Sequence, residues 1–231
     1  MSEWRATRFV ARLRRITLLA LLVALTAPDA GAQDSATPSA AHPPRRQALK
    51  KAIGRASAAR ERQKITDQYD PTFKKYSKRY FGPAFDWRVF KAQAMAESDL
   101  NPKARSHVGA RGLMQLMPST FGVIQSARPE FTAIDDPEWN IAAGVMHDRY
   151  LWTLWKNQPG DERRHFMFGS YNAGEGTIAR ACGAARDARL DDTRWPSIEE
   201  VAPKVQRWRY RETVGYVKRI QANYDTLRKV R

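Results

Sequence analysis

The sequence predicts an all-α domain. Apolar residues recur at helical spacing from about residue 72 onward, alternating runs of strand length are missing, and Pro, Gly and Asp punctuate the gaps. On this pattern helices are expected over residues 72–80, 87–98, 119–127, 141–155, 163–171, 175–182 and 209–227. Asp86 is the expected N-cap of the second and Asn140 of the fourth, because each carries a short side-chain acceptor just ahead of a helical run. Breaks fall at Asn101-Pro102, Gly109, Gly112 and Asp135-Asp136-Pro137. There are no internal repeats.

Ahead of this domain lie two segments of different character. Residues 1–32 read as a secretory signal: Arg5, Arg8, Arg12, Arg14 and Arg15 precede an apolar run over residues 16–27, and Ala30-Gly31-Ala32 fits a small-x-small cleavage site. The run is shorter than the ~20 apolar residues a spanning helix needs. Residues 33–64 are rich in Ala, Ser, Pro, Arg and Lys, with almost no large apolar side chain, and read as a basic tether. Its second half has fair helix propensity but no apolar stripe. Residues 65–231 are the expected folded domain.

The formal net charge is +16, and more than half of it falls on residues 1–64. Such a chain favours anionic partners, and charge alone does not choose among nucleic acid, phospholipid and cell-wall polymer. Nucleic acid is disfavoured by the export signal and by the lack of a binding motif. The tether offers a contact for anionic wall polymer or a membrane surface. Cys182 is the only cysteine, so no disulfide within the chain and no cysteine metal site can form. The four histidines show no His-Glu-x-x-His spacing, which excludes a zinc hydrolase of that type. No metal and no cofactor is expected.

The candidate chemistry begins at Glu97. On a helix, Phe90, Ala94 and Glu97 share one face, so the carboxyl continues an apolar stripe instead of joining Arg88 and Lys91 on the solvated face. A carboxyl against apolar neighbours has its charged form disfavoured and its pKa raised, which suits a general acid near neutral pH. Spacing alone leaves open that the side chain bends to water or pairs with an arginine.

The following segments decide between these. Glu97-Ser98 is followed by Asn101-Pro102, then by Gly112-Leu113-Met114-Gln115-Leu116-Met117-Pro118. Further on stand Tyr171-Asn172-Ala173-Gly174 and Glu212-Thr213-Val214-Gly215-Tyr216-Val217. In this order and spacing the four motifs resemble the catalytic (SLT) domain of the lytic transglycosylases, over about residues 69–227. Residues 80–88 resemble the membrane-bound F-type branch. The resemblance implies a goose-type lysozyme-like fold. It departs at Ser170, where the family often has Ala, and at Glu175, where it often has Pro.

The resemblance implies that Glu97 is the sole acid and base, cutting the bond between N-acetylmuramic acid and N-acetylglucosamine in peptidoglycan. Ordinary glycosidases use two carboxyl groups. Here the substrate's own C6 hydroxyl would attack and leave a 1,6-anhydro end. The neighbouring alternatives are a lysozyme-type hydrolase and a non-catalytic wall-binding or secretion-assembly factor. Substrate contacts are expected from Ser98, Ser106, Gly112, Gln115, Met117, Tyr171, Asn172 and Tyr216. Of these, Tyr171 could hold Glu97 by a hydrogen bond, Met117 is more readily a packing residue than a sugar contact, and Tyr216 could equally line the cleft or fill the core. Trp139, Trp152, Trp155, Trp195 and Trp208 could stack on sugar or fill the core. A monomer in the periplasm or cell envelope is expected.

Overall fold

Residues 44–229 are described in a computed structural model; the expected signal and the first part of the tether lie outside them. Among the described residues the chain is helical, with two isolated bridges, Arg105 to Arg111 and Arg111 to Leu116, and no strand. It divides between Lys64 and Ile65 into two compact units.

Helix α1 (Pro44–Asp67) crosses that division. Its described side chains from Gln47 to Ser57 are all exposed, including Leu49 and Ile53. Over those residues it has no buried face, in keeping with the missing apolar stripe. None of the described helices is long and apolar enough to cross a membrane.

The larger unit carries α2 (Asp70–Phe81), α3 (Arg88–Ser98), α4 (Pro118–Ala127), α5 (Pro137–Leu154), α6 (Glu162–Ala173), α7 (Glu175–Asp187), α8 (Trp195–Val201) and α9 (Tyr210–Lys229). Helix α3 packs on α9, α2 on α5, and α6 touches α5, α7 and α9. The core is aromatic and aliphatic: Phe73, Phe90, Phe131, Ile141, Leu151, Phe166, Met167, Ile178 and Ile198 are fully enclosed. Burying each such side chain contributes about 1.5–3 kcal/mol.

The expected helices all form, and the differences are local. The N-cap of α5 is Asp136, whose Oδ1 accepts from the Glu138 and Trp139 N–H groups at 2.8 and 3.1 Å. Asn140 instead lies inside the helix, fully buried. Asp86 sits one residue before the cap position of α3 and accepts from the Arg88 N–H at 3.0 Å. Helix α8 was not expected; it is short and starts on Trp195-Pro196. Lys91 is not on a solvated face: it is 2 % exposed and pairs with Asp70 at 2.6 Å and Asp67 at 3.1 Å. Two carboxylates make that buried charge tolerable.

Candidate active site

Glu97 lies in the last turn of α3, half-buried, and the helix ends immediately after it. Asp99 and Leu100 both take left-handed backbone, with φ of 53° and 58°, and Leu100 is buried. This reversal is uncommon for residues with a Cβ. It sends the chain back across the end of α3 as the loop of residues 101–117.

That loop is held from three helices. From α3, the Ser98 hydroxyl donates to the Leu113 carbonyl at 2.8 Å. From α5, Asn140 accepts from the Met114 N–H at 2.8 Å and donates to the Arg111 and Ile134 carbonyls at 2.9 Å each. From α6, the Tyr171 hydroxyl donates to the Met114 carbonyl at 2.8 Å. Gly112, with φ of 75°, lies so close to Asn140 that a Cβ there would come within 2.5–2.8 Å of its amide group. Glycine is required by both the backbone angle and the space.

The partner of Glu97 comes from α9. The Tyr216 hydroxyl donates to Glu97 Oε1 at 2.6 Å. This corrects the expectation for Tyr171, whose hydroxyl is turned to the loop backbone. Tyr216, 2 % exposed, is both a core residue and the residue that holds the carboxyl. Crowding by neighbours pushes the Glu97 pKa up from 4.5 to about 7; the Tyr216 hydrogen bond and the Arg219 charge pull the other way. Burial and the adjacent Glu97 push the Tyr216 phenol well above its ordinary value, so it stays a donor.

Gln115 has positive φ, 47°, and gives its Nε2 hydrogens to the Ala104 and Gly112 carbonyls at 3.2 and 2.9 Å. Its Oε1 is buried with no partner among the described residues. Ser106 Oγ accepts from the Ala110 N–H at 2.9 Å, which leaves its hydrogen to give. Met117 caps α4 without a side-chain bond and is half-buried, as is Asn172. Trp155 and Trp195 belong to the core. Trp208 donates to the Thr213 hydroxyl at 3.0 Å, Trp139 stacks on Phe131, and Trp152 packs against Phe81, Phe85 and Arg163. Glu175 stands beside Tyr150 and His147, where with Val123, Ile124 and Met146 it lines a groove of about 320 Å³. Burial pulls His147 down to about 4, so the imidazole is neutral there.

Residues 72–192 match the family described as the transglycosylase SLT domain. The chain belongs to that family. The SLT chain is 33 % identical over 173 residues to the membrane-bound lytic murein transglycosylase F of Shewanella pealeana, covering 69 % of this chain and 34 % of that one. It is 33 % identical to the protein of the same name from Vibrio cholerae, covering 69 % and 31 %. It therefore spans about a third of the length of these curated relatives. Among solved structures, the 70-kDa soluble lytic transglycosylase of Escherichia coli superposes with a TM-score of 0.55 at 32 % identity, over 68 % of this chain and 23 % of that one. The complex of the 70-kDa enzyme with bulgecin A gives 0.57 at 30 %, over 71 % and 25 %. The SLT fold is thus the all-α, lysozyme-like one that the motifs implied.

Two residues beside the site of the SLT domain have surroundings that the sequence did not reveal. Asn140, assigned to a cap, is the hub of the loop. Asp148, on α5, is a second buried carboxyl near Glu97. The only sequence signal is for Asn140, which precedes the apolar run Ile141-Ala142-Ala143; Asp148, between His147 and Arg149, has none.

Proposed function

We propose that the protein is a peptidoglycan lytic transglycosylase in which Glu97 acts first as acid and then as base. The observation that carries this reading is a single carboxyl, lifted to about 7 by its surroundings and held by one short hydrogen bond from Tyr216. Such a group carries a proton to give and, having given it, is a useful base at the same pH.

In the first step Glu97 protonates the oxygen between N-acetylmuramic acid and N-acetylglucosamine. The C1–O bond breaks through an oxocarbenium-like state that the sugar's 2-acetamido group stabilises. In the second step the Glu97 carboxylate takes the proton of the C6 hydroxyl as that oxygen bonds to C1. Glu97 ends protonated and no water is consumed. The nucleophile belongs to the substrate, so its attack is intramolecular and favoured accordingly. A hydrolase would need a second carboxyl at the sugar. Asp148 is enclosed beneath Glu97 and cannot touch substrate.

Substrate contacts are assigned to what the chain leaves unused. Ser106 offers its hydroxyl hydrogen, Asn172 and Met117 their half-exposed side chains, and Gln115, itself partly exposed, an unpartnered Oε1 that reaches sugar once the side chain turns outward. Gly112, Ser98 and Tyr171 act through the loop they shape. Bulgecin A, which the 70-kDa enzyme binds, is a ligand to try at this site.

The dependence of rate on pH tests the assignment. Glu97 must arrive protonated, so kcat/KM on glycan strands is expected to be flat below about 7 and to fall tenfold per pH unit above it. A profile that rises through pH 7 would contradict an acid in that position.

The chain is proposed to act in the periplasm or envelope as a monomer, on glycan strands. Helix α1, with Lys50, Lys51 and Arg55 exposed, would hold it on anionic wall polymer. Retention on purified sacculi is then expected to weaken as salt rises. Retention that ignores salt would rule out this role for the helix.

A further inference from the structure

Asp148 has no part in the reaction derived above, yet it lies in the most protected part of the site. Its side chain is fully enclosed on α5. Oδ1 accepts from Gln93 Nε2 at 3.3 Å, and Oδ2 has no partner among the described residues. Gln93 is equally enclosed, and its Oε1 is also without a partner. Two buried acceptors are thus left over on two side chains that already share one hydrogen bond. Leaving either unmet costs about 1–3 kcal/mol.

One proton resolves both. A neutral carboxylic acid and a primary amide pair through two hydrogen bonds: amide N–H to acid carbonyl, and acid O–H to amide carbonyl. The first of these is the observed Gln93–Asp148 bond, and the second joins the two leftover atoms. An ionised Asp148 could make only the first.

We propose that Asp148 and Gln93 form this cyclic acid–amide pair, closed by one proton on Asp148, and that the pair positions Glu97, one helical turn beyond Gln93 on α3. The surroundings agree. Burial holds the Asp148 carboxyl well above the carboxylate range, and the nearby Glu97 adds to that. The groups that feel it are Glu97 on α3, Tyr171 on α6 and Tyr216 on α9, none of them a cation. Among the described residues no lysine or arginine forms an ion pair with it. A negative charge left on Asp148 by loss of that proton would oppose the negative charge that Glu97 must carry in the base half of the reaction.

The positioning role rests on Glu97 as acid and base; the pair does not, and the two are tested separately. In the wild-type protein, the ¹³C resonance of the Asp148 carboxyl, assigned by its loss in Asp148→Asn, is expected to stay at the protonated position from about pH 5 to 8 while Glu97 titrates. A carboxylate resonance at pH 7 overturns the pair, whatever the activity. Asp148→Asn can remake both bonds as an amide–amide pair. It is expected to keep kcat within about twofold and to leave the pH midpoint in place. A midpoint lowered by about one unit would mean that an anion had been removed, and would overturn the proposal. Asp148→Leu keeps the branched skeleton and loses both bonds. It is expected to lose at least about tenfold in kcat, with KM little changed and the midpoint displaced. Wild-type kcat and midpoint in that variant would reduce Asp148 to packing. Should that variant not fold, the wild-type spectrum and Asp148→Asn still decide.

Discussion

Glu97→Gln is expected to lower the rate of glycan cleavage by about 10³–10⁴-fold while leaving the protein folded. The amide keeps the shape of the side chain and can still accept from Tyr216, but it has no proton to give and no charge with which to take one. Both halves of the reaction fail together. The same substitution is expected to stabilise the fold at alkaline pH. Glu97 goes from 4.5 to about 7 on folding, so the native state binds more protons than the unfolded one in between. Wild-type stability therefore falls as pH rises from about 4.5 through 7 and levels off above, with a loss of about 2–3 kcal/mol after allowance for the water that still reaches the side chain. Melting curves of the two proteins should diverge over that window, with the variant higher at pH 8. A variant that clears peptidoglycan at the wild-type rate would remove Glu97 from the chemistry. Curves that stay parallel from pH 4 to 8 would show that burial does not raise its pKa.

The second large effect is expected at Tyr216. Tyr216→Phe removes the 2.6 Å hydrogen bond to Glu97 and leaves the ring packed between α9 and α3. A hydrogen bond to a charged partner contributes about 1.5–3 kcal/mol, and it acts on the carboxylate and not on the neutral acid. Its loss is expected to raise the Glu97 pKa by about one to two units, displacing the alkaline fall of kcat/KM to higher pH. At neutral pH kcat should fall by about 10- to 100-fold, because the carboxyl is free to leave the position from which it reaches the sugar. Tyr171→Phe should leave the midpoint alone, since its hydroxyl is bound to the Met114 carbonyl. If the two phenylalanine variants shift the profile equally, the structural distinction between them fails.

The parts of this fold that show in the sequence are those set by local pattern. Helices α3 and α9 are marked by apolar spacing, and the ends of α3 by Asp86 and Asp99. Glu97 could be placed on an apolar face from spacing alone. Its assignment as the catalyst came from the four motifs. The residues misjudged are those whose partners lie far along the chain. Asn140 is a residue type that caps helices, and nothing local reveals that its amide meets the backbone of a loop 26 to 29 residues earlier. Lys91 reads as solvated next to Arg88, but Asp67 at the end of α1 and Asp70 at the start of α2 bring two carboxylates onto it. Asp148, between His147 and Arg149, carries no local mark of burial, and its partner Gln93 lies 55 residues earlier on α3. Of the two candidate tyrosines, only tertiary geometry could say which hydroxyl reaches Glu97. Helix α8 escaped because seven residues give too short a period to recognise.

The central claim is that one carboxyl serves both steps and that no water enters. Digestion of intact peptidoglycan in ¹⁸O-labelled water, followed by mass spectrometry of the released fragments, tests it most directly. The account predicts fragments lighter by one water than a hydrolysed end and free of ¹⁸O. Reducing ends carrying one ¹⁸O atom would contradict it and make the protein a hydrolase.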